Sequence, residues 1–467
     1  MHRAATRVNW TRGAFAAVCT LISLFVIPAL AQAPDSAPPT EPATTEGDDT
    51  SKTLLGDVGG LRSAIKPYGL TLSATETSEI LGNVSGGIRR GAIYEGLTDA
   101  NLQWDLRPYF HWRGVLYARA LQIHGRGLSL NDLGNNLNTV SSIEATRTTK
   151  LFELWYEQHI GDWLRIRIGQ QAADQEFIIS TTAKVFVNGA FGFPTLPATV
   201  LPAGGPDYPL STPAVRFRVD ANEALTFYAG LFNGNPTGAG FNAANPQAGD
   251  LSGTAFRVND GVLALFETRY NPENSPQNGT YRAGAWFNSE RFPSQHFDTA
   301  GRSLASPLST GTPRLLDNNY SIYGIVDQPL TVDKDGKGLS AFLRMMGAPG
   351  DRNLIDFYFD AGLAYKGPFG RGDDRVGVGF AYARIGSAAR ALDADTVALG
   401  GTANPIRTRE MVLEATYQYT VDGWKWLQLQ PDFQYVVNPG GGIANPNAPG
   451  RRIGNAAVLG LRTVITF

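Results

Sequence analysis

From about residue 70 to its last residue the chain alternates between two kinds of position. In "VLGLRTVITF", residues 458–467, Leu459, Leu461, Ile465 and Phe467 share one parity, while Gly460, Arg462, Val464 and Thr466 share the other. A period of two predicts a strand with one apolar and one wetter face. The same beat sets Leu164, Ile166 and Ile168 against Arg165, Arg167 and Gly169, and Val215, Phe217 and Val219 against Arg216 and Arg218. It sets Val376, Val378, Phe380 and Tyr382 against Gly377, Gly379, Ala381 and Ala383. Met411, Leu413, Ala415, Tyr417 and Tyr419 oppose Glu410, Glu414 and Gln418, and Leu427, Leu429, Phe433, Tyr435 and Val437 oppose Gln428, Gln430, Asp432 and Gln434.

One-sided alternation fits a soluble sandwich as well as a membrane barrel, so the direction of the apolar face has to be decided. Aromatics gather at strand ends, as in "GDWLRI", "DGWKWLQL" and "FYFDAGLAYKGPFG", which suits the girdles of a membrane interface. The opposite parity carries more Arg, Glu, Asp and Gln than a sandwich core holds unpaired. Apolar positions therefore face lipid and charged positions face a lumen. Short connections such as "YNPENSPQNGTYR" alternate with long Gly/Asn/Pro/Ala stretches at 185–212, 233–250 and 438–450. The expected fold is all-β: an outer-membrane antiparallel β-barrel over 70–467, of about sixteen to eighteen strands, with a water-filled lumen, short periplasmic turns and long external loops.

The first residues read differently. Arg3, Arg7 and Arg12 precede the apolar run "AFAAVCTLISLFVIPAL", and "ALA" ends at Ala31, so residues 1–31 read as a secretory signal. Residues 32–53, rich in Pro, Thr and acid, read as a disordered leader. Residues 54–69 read as a short helix or turn ahead of the barrel. The single cysteine, Cys19, falls in the signal, leaving no disulfide framework.

Charged residues make up 18% of the 467 and the formal net charge is −2, which gives nucleic acid no basic surface to bind. After the signal there is no run of eighteen or more apolar residues, which excludes a helical inner-membrane protein. No P-loop, dinucleotide fingerprint or G-x-S-x-G elbow occurs, and no paired His or Cys spacing points to a metal. No cofactor is expected. "DKDGKG" at 333–338 lacks the ligands of a calcium loop and reads as a turn.

Several pieces, in order, carry a family resemblance: "GDVGGLRSAIKPYGL", "LFELWYEQHIGDWLRIRIGQQAADQEF", "DQPL", "GPFGRGDDRVGVGFAYARI", "PDFQYVVNPGGG" and the closing "VLGLRTVITF". Together they resemble the carbohydrate-selective porins of the OprB type. The resemblance implies a sixteen-stranded barrel that admits sugars by passive diffusion, with outer-membrane lipid and lipopolysaccharide around it. It also implies that Phe467 is read by the barrel-assembly machinery. Both a monomer and a homotrimer are open at this point.

A sugar is neutral, dense in hydroxyls and apolar on its C–H faces. Selective passage needs hydrogen-bonding groups of both signs and an aromatic platform. In "LFELWYEQH" Glu153, Trp155, Glu157 and His159 share a parity, which sets Trp155 between two lumenal carboxylates as the candidate platform. Arg165, Arg167, Arg216, Arg218 and Arg462 are assigned inward by the same rule, with guanidinium forks suited to paired hydroxyls. Arg89 and Arg90, in "SGGIRRGAIYEG", are candidates for a constriction.

Three rivals remain. An anion porin needs a basic ladder, whereas Glu153, Glu157, Asp360, Glu414 and Asp432 are placed inward beside the arginines. A barrel hydrolase would use His111 or His159. A structural barrel would have a plugged lumen.

Overall fold

The computed structural model describes residues 50–110, 113–134, 137–238, 245–272, 278–400 and 403–467. The expected signal, most of the leader and His111 lie outside the described residues. Strands β1 (Leu70–Gly87), β2 (Gly91–Asp105), β3 (Gly114–Gly125), β4 (Thr148–Ile160), β5 (Leu164–Gln171), β6 (Thr212–Asp220), β7 (Leu225–Asn233) and β8 (Val262–Tyr270) run in chain order around the wall. They are followed by β9 (Thr280–Asp298), β10 (Pro313–Pro329), β11 (Gly338–Gly347), β12 (Ile355–Lys366), β13 (Arg375–Ile385), β14 (Arg409–Thr420) and β15 (Leu427–Val437). A small hairpin, β16 (Ala444–Asn445) and β17 (Ala448–Arg452), stands apart, and the last strand, β18 (Gly454–Thr466), pairs with both β15 and β1. The barrel has sixteen strands, each antiparallel to its neighbours, and the closure of β18 on β1 removes the open edges.

The alternation read from the sequence is the alternation of the wall. On β13 Val378 is exposed while Ala381 and Ala383 are buried, and on β14 Leu413 is exposed while Glu410 and Glu414 are buried. Connections at the rim that holds the chain termini are short, from 161–163 to 271–279. Gly161 opens the shortest of these turns at φ 57°, a left-handed conformation that costs glycine little. The other rim carries the long connections, 126–147, 172–211, 234–261 and 386–408, the last containing a helix at Ser387–Gly400, beside the short turn 88–90 between β1 and β2.

The pre-barrel segment forms a short helix, Leu61–Ile65, and a 3-10 turn, Lys66–Tyr68. The Leu54 N–H donates to the Thr466 carbonyl at 2.8 Å and Arg62 Nη2 donates to Phe467 O, while the Phe467 N–H donates to the Ala74 carbonyl at 2.9 Å. Phe467 therefore ends the sheet as a paired residue.

The sequence places 185–212 among the long external loops, and the connection does leave from the rim of the long connections, but it does not stay outside the wall. The whole connection 172–211 folds into the barrel and packs on the far wall. Its Phe186 and Phe191 lie 4.4 Å apart between ring centroids and meet Phe342 of β11 at 5.9 and 6.2 Å. Phe177, Ile178, Leu196 and Leu201 join the same core with Trp286, Ile325 and Tyr358 of the wall. One side of the lumen is thus filled by an apolar core.

Candidate functional site

The inward loop owes its seat to the small parity of β13. A Cβ added at Gly377 would lie 2.7 Å from Val185, and one at Gly379 would lie 2.8 Å from both Phe186 and Phe191. Side chains absent from β13 make the volume that the loop's phenylalanines occupy.

Polar groups of the wall then bind the loop's backbone, whose N–H and C=O groups have no sheet partners. Asp327 accepts from Ser180 Oγ and from the amides of Thr181 and Thr182. Glu414 accepts from the amides of Val187 at 2.6 Å and Asn188 at 3.0 Å. Arg344 donates to the carbonyls of Ile178, Ala190, Phe191 and Gly192 while paired to Asp360 at 2.5 Å. Asp360 and Glu414 point inward as expected, yet both are fully buried beneath the loop and hold it rather than line open space.

The opposite side of the lumen carries the predicted arginines. Arg165 and Arg167 on β5 stand across from Arg218 and Arg216 on β6. Each is matched by acid. Arg167 meets Glu157 at 2.9 Å and Arg216 meets Glu157 at 2.5 Å and Glu176 at 2.6 Å. Arg218 and Arg165 both reach Asp220, at 2.9 and 3.8 Å. Arg119 pairs with Asp99 at 2.6 Å and lies 3.6 Å from Glu153, and Arg269 pairs with Glu267 at 2.7 Å. Arg462 reaches Glu79 at 2.5 Å and donates to Ser142 of the loop 126–147. Arg218, Arg269 and Arg119 keep 24, 21 and 17% of their side-chain surface exposed. Arg216, at 2%, is structural.

Trp155 points inward, but its ring is not a free platform. Tyr117 of β3 stacks on it at 4.7 Å, and Arg167 of β5 lies over it at 3.8 Å. With neighbours arriving from the strands on either side, only 6% of the residue is exposed. The ring is in cation–π contact with the Arg167 guanidinium. Arg89 sits in the short turn 88–90 and clamps Asp132 of the loop 126–147, with Nε 2.7 Å from Oδ1. Arg90 is exposed on the same turn. His159 Nε2 lies 3.0 Å from Glu157 Oε1.

Between the loops 126–147 and 172–211, with Asn245–Gln247 at one side, lies a cavity of about 790 Å³. Its polar lining includes Ser129, Asn138, Glu144, Thr195, Asp174 and Asp207, and among the described residues no Lys or Arg. Burial raises the Asp207 carboxyl well above its ordinary value, and the neighbouring Asp174 adds to this; burial raises Asp174 as well. Glu144 is raised mainly by burial. Glu176 behaves oppositely: burial pulls it up, but Arg167 and Arg216 outweigh that and hold it below its ordinary value. These loop acids had no strand parity to expose them in the sequence. Their only signal was the acid content of "AADQEF" and "GGPDYP" beside strand ends.

The closed sixteen-strand wall agrees with what comparison with known proteins finds. The family described as "Carbohydrate-selective porin, OprB family" matches residues 89–467. The chain belongs to the OprB family of carbohydrate-selective porins. It is an outer-membrane β-barrel channel and not an enzyme. Porin B of Pseudomonas aeruginosa PAO1 is 24% identical over 443 residues, which cover 89% of this chain and 92% of that protein. The high-pH structure of Pseudomonas putida OprB superimposes with a TM-score of 0.78 at 22% identity, over 89% of this chain and 98% of that one. The low-pH structure of the same protein gives 0.52 at 16% identity.

Proposed function

We propose that this OprB-family porin passes glucose-like monosaccharides and small oligosaccharides down their gradient, and that the arginine–carboxylate pairs of β3, β5, β6 and β8 are the groups they touch. One observation carries this reading: the arginines named on that wall stand beside carboxylates, so the path offers many donors with little net charge. A hydroxyl-rich neutral solute exchanges water for guanidinium N–H and carboxylate oxygens one contact at a time, and each contact is weak enough to release it. Arg218, Arg269 and Arg119 are the direct contacts, since they keep surface in the lumen. Arg167, Arg216, Trp155, Glu153 and Glu157 set their positions. Arg462 and Arg89 steady the loop 126–147, and Asp360 and Glu414 steady the loop 172–211.

An anion path is disfavoured by the acid lining of the cavity between the loops. The lumen is narrowed by its loops on one side, and the exposed arginines on the other argue against a plug. The paired terminal strand suits recognition of Phe467 by the barrel-assembly machinery. Residues 1–31 serve as the export signal and 32–53 as a leader.

Liposome swelling with glucose, a disaccharide and an amino acid of similar size tests the reading. Faster entry of the sugars, slowed by Arg218→Ala, is expected. Rates ordered by size alone would make the chain a general porin.

A further inference from the structure

Tyr228 stands on β7 in register with Arg218 of β6 on one side and Glu267 of β8 on the other. Arg269 follows two residues after Glu267 on the same face of β8, so it reaches Tyr228 diagonally. Three guanidinium groups converge on the tyrosine ring: their carbons lie 3.9 Å (Arg269), 5.6 Å (Arg218) and 6.0 Å (Arg216) from its centroid. Only 3% of Tyr228 is exposed, whereas Arg218 and Arg269 keep 24 and 21% of their side-chain surface. The ring therefore stands behind the two charges that meet the lumen.

The inward loop closes on the same ring. Phe177 meets it edge-on, with 6.1 Å between centroids at 79°. The neighbouring Glu176 pairs with Arg216 at 2.6 Å through its carboxylate and accepts from Arg269 Nη2 through its carbonyl. Asp220 holds Arg218 at 2.9 Å and Glu267 holds Arg269 at 2.7 Å. The two exposed arginines are thus tethered to different acids, with the strand of Tyr228 between them.

Two cations that share no acid repel, and long side chains left to themselves swing apart. An aromatic face carries negative potential and attracts a guanidinium within about 6 Å of its centroid. We propose that Tyr228 is a positioning residue for sugar passage: its ring draws Arg218 and Arg269 to one fixed separation, so that both forks meet the same solute. A guanidinium keeps its donors in one plane, so a group that fixes the plane also fixes where the N–H bonds point. The spacing set by the ring is what a pair of sugar hydroxyls has to match. Tyr228 acts through the arginines and does not touch the sugar. The inference rests on the reading that the exposed arginines contact the solute, and it names the group that sets their spacing.

The test is block of single-channel current by glucose in a planar bilayer, read as the half-saturating concentration. Tyr228→Leu and Tyr228→Met fill the space without a ring, and each is expected to raise that concentration severalfold. Tyr228→Phe restores the face without the hydroxyl and is expected to return it to near the wild-type value. A role in packing alone would be met by all three. Block that matches wild type in the Leu and Met variants, while Arg218→Ala or Arg269→Ala weakens it, would overturn the proposal and leave the arginine contacts standing. A Phe variant weakened as far as Arg269→Ala would overturn it too, by assigning the effect to the hydroxyl. Block unchanged by Arg218→Ala and Arg269→Ala would remove the contacts themselves, and the proposal with them.

Discussion

Arg344 and Asp360, both fully buried, face each other across β11 and β12 at 2.5 Å, and Arg344 spends its remaining donors on four carbonyls of the inward loop. A pair made on the wall thereby fixes the width of the passage. Removing one partner of a buried pair costs about 3–5 kcal/mol. Arg344→Met is expected to lower the unfolding midpoint and, because the loop loses its anchor, to raise and broaden single-channel conductance. Unchanged conductance with a lowered midpoint would mean that the apolar core alone holds the loop.

The seat on β13 makes a separate prediction. Gly379→Val places atoms where Phe186 and Phe191 already lie, and overpacking of this kind costs about 1–3 kcal/mol. Protease cleavage within 172–211 should become faster, while the strands stay protected. Val378→Ala, next along the strand but facing outward, should leave that cleavage rate alone.

Glu157 serves Arg167, Arg216 and His159 at once. Glu157→Gln removes one negative charge and leaves the two arginines to share Glu176. In a salt gradient the reversal potential should move toward anion selectivity, accompanied by a loss of stability of about 3–5 kcal/mol. A reversal potential that does not move would show that these arginines lie off the ion path.

The neck of the inward loop carries a pH dependence. Asp174 and Asp207 stand at its two ends, where the Ala173 N–H donates to the Pro206 carbonyl. Both carboxyls are raised, by burial first and by each other at Asp207. A carboxyl whose folded value is raised favours the folded neck fully below its unfolded value, about pH 4. That contribution is lost as pH rises through the raised value. Conductance should therefore become noisier, and more cation-selective, as pH is raised from about 4 toward alkaline. Asp207→Asn should flatten the dependence; an equal slope in that variant would assign the effect elsewhere.

The strands were legible in the sequence because a barrel wall imposes a strict period of two. The inward directions of Arg165, Arg167, Arg216, Arg218, Glu153 and Glu157 follow from it. What parity does not carry is the path of 172–211, a stretch rich in Gly, Pro and Ala whose partners are far away in the chain. Its seat was present as Gly377, Gly379, Ala381 and Ala383, but small residues on one face also suit a narrow lumen. Trp155 is a related case: its direction follows from β4 alone, whereas its covered ring depends on Tyr117 and Arg167 from two other strands. Arg89 was ambiguous because a glycine-rich turn fixes no direction.

The most direct test of a neutral, hydroxyl-recognising lumen is the ion current through single channels in a planar bilayer as glucose or a disaccharide is titrated in. Saturable block is predicted, weakened severalfold by Arg218→Ala or Arg269→Ala, with a reversal potential that the sugar leaves unchanged. A current that falls only with the viscosity of the sugar solution, alike in wild type and variants, would contradict it.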